Sequence, residues 1–267
     1  MCGVALKIYG ILIAVLAAVG VFFGYMYYTD VTRPAKQLDE AAAEQDAVFE
    51  EIRQSFSQPR ETRPAAPADP HTEAAQVPEE TAPAQPKSAA VAWLMIPGTH
   101  IDYPVAQAKD NEFYLYRDIN GKPNQRLGCP FLDYRCKSDF SGFNSIVYAH
   151  HMTKQRMFAD IALYQDPDFM AQCPEGTLTT AEGAYTIRFF AYLTVPSDDA
   201  VYQAEFADET EKSAYLQYVL NQASYVYGVD EAEQKVLEDT ESLHLLLLST
   251  CTYEYQEARG VLVGVIR

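Results

Sequence analysis

Short runs of strand-forming residues dominate the chain from Val91 to Arg267. Most runs mix apolar with β-branched or aromatic residues and are bounded by turn residues, which is typical of strands. The predicted strands are Ala92–Ile96, Ile101–Val105, Gly128–Asp133, Ser145–Ala149, Thr177–Thr180, Tyr185–Val195, Leu243–Thr250 and Val261–Ile266. Eight short strands with few helices predict a mostly β fold, a closed or nearly closed barrel, in one compact domain over 91–267.

Two segments of this domain have helical periodicity. They are Met157–Tyr164 and Asp208–Ser224. The second begins with Asp208, and Glu211 follows three residues later, which is the spacing of a capping box. We therefore expect a well-defined start for this helix at Asp208.

The first 30 residues are predicted to form a membrane anchor. Ile8–Tyr28 is a stretch of 21 residues without a charge, long enough to cross the hydrocarbon core of a bilayer as a helix. The alternative interpretation is a cleaved signal peptide, which would end at a cleavage site with small residues. This stretch ends instead in a cluster of tyrosines, which is typical of a membrane interface and favours an uncleaved anchor.

Residues 31–90 are predicted to be a helical stalk and a linker. In 36–57, Phe49, Ile52 and Phe56 recur at helical spacing, which predicts an amphipathic helix. A solvated stalk is favoured over a helix that packs on the later domain. From 58 to 89 the chain is rich in Pro, Ala and Glu and has no aromatic residue. Such a composition cannot bury enough apolar surface to fold, so it predicts an extended spacer.

Charge and cysteine content exclude several classes of protein. The chain has 20 Lys and Arg against 37 Asp and Glu, a net charge of −17, which argues against nucleic acid as a partner. Its 5 cysteines lack the paired spacing of a zinc ribbon and do not form a disulfide-dense framework. We predict no metal and no other cofactor, and free thiols at Cys129 and Cys136.

Three residues at strand ends are candidates for covalent chemistry. Cys251 follows the most apolar strand, where a thiol is either a structural residue or a nucleophile held by a rigid scaffold. His150 ends another predicted strand and could pair with that thiol. Arg259 follows Cys251 by eight residues and could return across a hairpin to the same edge, where a guanidinium stabilises a thiolate and an oxyanion.

These residues stand in a pattern that resembles the sortases. Leu247–Cys251 (LLSTC) with Arg259 is similar to the family's cysteine signature, and Ser145–Met152 (SIVYAHHM) is similar to its histidine strand. Further motifs resemble class B sortases in order and spacing: Trp93–Val105, Asp110–Leu115, Gly128–Arg135 and Met157–Ala159. The resemblance covers essentially all of Val91–Arg267.

The resemblance implies a membrane-anchored cysteine transpeptidase with a sortase-type barrel. Its substrates would be secreted proteins with a C-terminal sorting signal, and its acceptor an amine of peptidoglycan, of its lipid-linked precursor or of a pilin. By the same resemblance, Cys251 is the nucleophile, His150 the acid and base, and Arg259 the oxyanion partner. Four more residues match the class B signal pocket: Asn111, Leu115, Tyr148 and Ser249.

Alternatives remain at this point. The catalytic histidine could be His150 or His151, because the two are adjacent and Ala149 replaces the usual Gly before them. Alternation along a strand would put them on opposite faces, so only one can face the site. The family pattern places the histidine directly after the small residue and favours His150. A cysteine peptidase or amidase of another fold is disfavoured because papain-like enzymes place Cys before His, whereas His150 precedes Cys251 in this chain. A surface-displayed barrel without catalytic activity is the third hypothesis. For the enzyme, we expect a single-pass membrane protein with its catalytic domain on the extracellular face.

Overall fold

The computed structural model describes residues 19–57, 89–124, 127–251 and 258–267. The chain divides into two units, Met1–Ala47 and Val48–Arg267. The first unit is helical over 19–27 and π-helical over Tyr28–Thr32. Helix α1 (Arg33–Ser57) follows and continues into the second unit, which confirms the helix predicted over 36–57.

The predicted membrane anchor stays a prediction. Residues 8–18 of that stretch lie outside the described residues, as does most of the predicted spacer, 58–88. Among the helices that the structure describes, none combines the length and the apolar character needed to cross a bilayer.

The second unit is built mainly from strands. They are β1 (Ala90–Met95), β2 (Asp102–Gln107), β3 (Phe131–Leu132), β4 (Asn144–Tyr148), β5 (His151–Met152), β6 (Arg156–Met157), β7 (Glu175–Thr180), β8 (Ala184–Pro196), β9 (Tyr225–Val226), β10 (Leu245–Cys251) and β11 (Ala258–Ile266). The helices are α2 (Pro167–Gln172), α3 (Glu209–Gln222) and α4 (Glu231–Glu238), with 3₁₀ segments Phe113–Leu115, Thr153–Gln155, Ala159–Gln165 and Ala200–Tyr202.

Eight of these strands close into a barrel, as predicted. Their order is β11-β10-β4-β3-β2-β1-β7-β8, and the antiparallel pair of β8 with β11 closes the ring. The pairs β2–β3 and β4–β10 are parallel. The short strand β9 adds to the free side of β8, and β5 pairs with β6 in a separate hairpin.

The closing strands supply much of the core. Leu245–Leu248 are all fully buried, because β10 lies inside the sheet and the 3₁₀ segment Ala159–Gln165 packs on β10 and β11. On β11, Gly264 lies at a shift in register, and a Cβ there would come within 2.7 Å of Ile187 and 2.9 Å of Phe189 on β8. Strands β8 and β11 therefore pack closely at Gly264, where any side chain would clash.

The end of α1 packs on the barrel, so the favoured prediction of a solvated stalk is wrong for this part of the helix. Phe49 and Ile52 are 4% and 7% exposed. The ring of Phe49 meets Tyr103 edge to face at 5.8 Å, and the Arg53 guanidinium lies 3.0 Å from the Asp102 carboxylate. The apolar side chains at helical spacing are thus part of the core of the second unit.

Two predicted elements differ from those observed. The strand predicted over Gly128–Asp133 is paired only over β3, and Gly128 has a φ of +59°, outside the range of extended backbone. The helix predicted over Met157–Tyr164 starts later, as the 3₁₀ segment Ala159–Gln165, because Met157 has a φ of +56° and pairs with His151 in β6. The start predicted at Asp208 is confirmed: its carboxylate accepts from the Glu211 N–H at 2.9 Å.

Candidate active site

The register of the last two strands brings Cys251 and Arg259 together. Cys251 ends β10, Arg259 is the second residue of β11, and the two are direct partners in the antiparallel pair. Residues 252–257, which join them, lie outside the described residues. The expectation that Arg259 returns across a hairpin to the edge of the barrel at Cys251 is met by the backbone.

A parallel pair brings His150 to the same edge. Ser249 of β10 is the partner of Tyr148 of β4, and the Ala149 N–H donates to the Ser249 carbonyl at 3.2 Å. Because β4 and β10 run in the same direction, His150 and Cys251 each stand two residues beyond a matched position, at the same end of adjacent strands. The backbone therefore gathers a histidine, a cysteine and an arginine at one edge of the barrel.

The His150 imidazole is fixed by the loop that precedes β3. Its Nε2 lies 2.7 Å from the Leu115 carbonyl oxygen, and since a carbonyl only accepts, Nε2 carries the proton in this arrangement. Gly128 lies against the same ring: a Cβ at this position would be 3.0 Å from His150 Cδ2 and 2.8 Å from the carbonyl oxygens of Tyr114 and Leu115. Leu115, predicted to line the signal pocket, thus contacts His150 through its backbone.

Two other predicted pocket residues share one partner. The Asn111 amide donates to Asp133 Oδ2 at 2.8 Å, and the Tyr148 hydroxyl donates to the same oxygen at 3.1 Å. Asp133 follows β3 and is fully buried. Arg135 donates to both of its oxygens, from Nε at 2.9 Å and from Nη2 at 2.7 Å.

The fourth predicted pocket residue, Ser249, joins the same region through Tyr202. The Ser249 hydroxyl and the Tyr202 hydroxyl are 2.9 Å apart. The rings of Tyr148 and Tyr202 have centroids 5.9 Å apart, and Arg135 Nη2 donates to the Tyr202 carbonyl at 3.0 Å. Asn111, Tyr148 and Ser249 therefore belong to one connected polar network.

Ionisation within this network follows from its contacts. Burial disfavours the charged form of Asp133, but the hydrogen bonds from Arg135 and Asn111 outweigh burial and hold the pKa of this carboxyl below its usual range. Burial, together with the Asp133 charge, raises the pKa of Tyr148, so its hydroxyl stays a neutral donor. The network is a carboxylate and a guanidinium with neutral groups around them.

Asp133, Arg135 and Tyr202 were not among the candidates from sequence. The first two lie in the GCPFLDYR motif, so their signal was present in the resemblance. Tyr202 lies outside every quoted motif, and only the fold brings it to Ser249.

Two buried cysteines away from this edge, Cys129 and Cys136, are unreactive in character. Cys129 and Cys136 are free and buried, which confirms the free thiols predicted there. Burial raises the pKa of both thiols, that of Cys136 to about 11. Neither is therefore a nucleophile at neutral pH.

A cavity of about 620 Å³ lies elsewhere, between α3, α4 and the turn after β9. Its floor includes Leu216, Leu220 and Leu237. No candidate site residue lines it.

Comparison with known proteins decides the family. Sortase B of Listeria monocytogenes is 34% identical to this chain over 176 residues, which are 65% of this chain and 68% of the relative. The chain belongs to the class B sortases. Class B sortases are cysteine transpeptidases, and this chain is an enzyme of that type.

Solved structures agree with this assignment. The sortase B of L. monocytogenes is 33% identical with a TM-score of 0.57, and covers 67% of this chain and 94% of its own. The sortase B of Clostridium perfringens is 26% identical with a TM-score of 0.60, again over 67% of this chain and 94% of its own. No family model matches the chain.

Proposed function

We propose that this sortase cleaves a C-terminal sorting signal of secreted proteins and transfers the new acyl group to an amine of peptidoglycan, of its lipid-linked precursor or of a pilin. The observation that carries the proposal is the shared position of His150, Cys251 and Arg259 at the ends of β4, β10 and β11. A nucleophile, an acid and base and a fixed cation are what acyl transfer through a thioester requires.

The roles of the three residues follow from the chemistry. The Cys251 thiolate adds to the carbonyl carbon of the threonine in the signal, and Arg259 stabilises the oxyanion that forms. The C–N bond then breaks, and His150 gives its proton to the leaving amine. The acceptor amine attacks the thioester, His150 takes up the proton that this amine loses, and the thiolate leaves unchanged.

The pocket for the signal is proposed to include Asn111, Leu115, Tyr148 and Ser249. Tyr148 is half-buried and Ser249 is buried, and both contact other polar groups of the same edge. The hydroxyl groups of Tyr148 and Ser249 and the amide of Asn111 suit the polar backbone of an extended peptide. No metal or cofactor is needed for these steps.

Trapping of the acyl-enzyme tests the function. A pool of heptapeptides with a fixed central threonine is incubated with the enzyme, and the bound acyl group is identified by mass spectrometry. Addition of triglycine should release it as a new amide. Cys251→Ala should form no adduct. A wild-type enzyme that only hydrolyses the peptides with triglycine present would contradict the proposed transfer.

For location, we propose a single membrane anchor within residues 1–30, a spacer over 58–89 and a catalytic domain on the extracellular face. A transpeptidase for secreted proteins must meet them outside the membrane. Protease added to intact, wall-stripped cells should release a soluble domain by cutting between Ser57 and Ala90. A spacer that resists protease until the cells are lysed would contradict this orientation.

A further inference from the structure

Asp133 is the most highly connected buried charge of the polar network beside the active site. Its Oδ1 accepts from the Arg135 N–H and from Arg135 Nε, each at 2.9 Å. Its Oδ2 accepts from Arg135 Nη2, Asn111 Nδ2 and the Tyr148 hydroxyl, at 2.7, 2.8 and 3.1 Å. The catalytic steps described above make no use of this carboxylate, so its five hydrogen bonds call for another explanation.

The carboxylate fixes the orientation of Asn111. The Asn111 Oδ1 accepts from the Tyr134 N–H at 3.0 Å while Nδ2 donates to Asp133. These two contacts allow one orientation of the amide, because a flipped amide would place its NH₂ against an N–H and its oxygen against a carboxylate. Asp133 thereby determines which group of Asn111 can face a bound peptide.

Asp133 also acts on the opposite side, through Arg135. The guanidinium that it binds donates to the Tyr202 carbonyl at 3.0 Å. The neighbouring carbonyls are held as well: the Tyr215 hydroxyl donates to Val201 O at 2.7 Å, and Asn144 Nδ2 donates to Gln203 O at 2.8 Å. Three consecutive carbonyls are thus fixed by side chains, and this fixes the segment from which Tyr202 reaches Ser249.

We propose that Asp133 is a positioning residue for the acyl donor: it holds Asn111 and Tyr148 directly, and Tyr202 through Arg135, in the arrangement that receives the signal peptide. This inference rests on the proposed function, whose pocket it deepens. The pair with Arg135 lets a buried carboxylate perform this role, because the guanidinium compensates its charge and its fork matches both oxygens. Neutral groups are left to face the peptide.

Two variants test the proposal against a matched control. Asp133→Asn keeps the size of the side chain and removes the charge that holds Arg135. Arg135→Lys keeps the charge, but one ammonium cannot reach both Asp133 oxygens and the Tyr202 carbonyl. The control is Asp160→Asn, because Asp160 is another buried carboxylate and its partner lies outside the network. That partner is His100, whose backbone N and Nδ1 lie 2.7 and 2.8 Å from Asp160 Oδ2.

The measurements separate positioning from folding and from chemistry. With the peptide selected from the pool, we expect Asp133→Asn to raise KM and lower kcat/KM by about ten- to a hundredfold, and Arg135→Lys to give a smaller change in the same direction. The rate at which iodoacetamide alkylates Cys251, followed by mass spectrometry, should match wild type in both variants. Asp160→Asn should keep the wild-type KM even if it lowers the melting temperature.

The possible failures are distinguishable. A wild-type KM in Asp133→Asn would overturn the inference, and so would slower alkylation of Cys251, which would place the effect on the nucleophile. If Asp133→Asn does not fold, the Arg135→Lys variant tests the inference instead, and a wild-type KM in that variant would overturn it. A wild-type enzyme that forms no acyl adduct with any peptide of the pool overturns the proposed function and this inference with it.

Discussion

Arg259 is the direct partner of Cys251 across the antiparallel pair of β10 and β11. In such a pair, partner residues lie directly opposite each other on the two strands. The position of the cation is therefore set by strand register, and it does not depend on the path of the loop between the two residues. Substitution of Arg259 is accordingly the most direct test of the proposed oxyanion partner.

Arg259→Ala is expected to slow thioester formation by about 10²–10³, equivalent to roughly 3–4 kcal/mol of barrier, while the fold is kept. Arg259→Lys should recover part of the rate, because an ammonium keeps the charge and loses the planar fork. Stopped reactions analysed by mass spectrometry measure the rate, and circular dichroism checks the fold. Arg188→Ala on β8, where the arginine lies 3.8 Å from Glu175, is the control. Near-normal acylation in Arg259→Ala would leave a Cys–His dyad.

Gly128→Ala is expected to impair both activity and stability. Its φ of +59° is unfavourable for alanine, and the new Cβ would lie 2.8 Å from two carbonyl oxygens, one of which is the partner of His150. Gly121→Ala separates strain from displacement of the histidine, since Gly121 has a φ of +77° but its Cβ would be 3.4 Å from Phe113. Gly121→Ala should lose about 1–2 kcal/mol of unfolding free energy through strain alone, Gly128→Ala should lose more because of the added clash, and only Gly128→Ala should lose most of its activity. Equal activity in the two variants would contradict this role of Gly128.

Phe49→Ala is expected to lower the free energy of unfolding of the catalytic unit by about 3–5 kcal/mol, because the ring is buried against Tyr103. Urea unfolding measures the effect. Glu51→Ala, at an exposed position of the same helix, should change it by less than about 0.5 kcal/mol. Equal stability of the two variants would mean that the end of α1 is not part of the folded unit in solution.

Asp133 should make stability depend on pH in the acid range. Its pKa is lower in the folded than in the unfolded chain, so its contribution is complete above the unfolded value of about 4 and is lost as the pH falls through the lower folded value. Between about pH 6 and pH 3, wild type should lose more unfolding free energy than Asp133→Asn, measured by urea titration at each pH. Parallel losses in the two proteins would contradict the ionised state of this carboxyl.

Strand positions and the candidate catalytic residues could be predicted from the sequence because their signals are local. The apolar run before Cys251 forms β10, and the run before His150 forms β4. Their parallel pairing has no local signal, since the two strands are far apart in sequence. The same limit applied to Tyr202, whose partner Ser249 is on another strand.

Other features were open or wrong for physical reasons that the structure supplies. Spacing alone could not tell whether Phe49 and Ile52 meet the barrel or solvent, because an amphipathic helix is compatible with both. The helical pattern from Met157 was misleading because this residue has a positive φ, which few non-glycine residues adopt. Asp133 was overlooked because a charged residue after a strand is usually solvated, and its burial depends on Arg135.

The parallel pairing of β4 with β10 also governs when the three proposed catalytic residues can meet during synthesis. Contacts between distant parts of a chain form late, because the loop between them must first lose its freedom. A growing chain that has completed β4 has made His150, yet Cys251 and Arg259 are still to be synthesised. The three residues come together only when the last strands are added and the ring of strands closes. Synthesis therefore cannot bring these three residues together before the last two strands are complete.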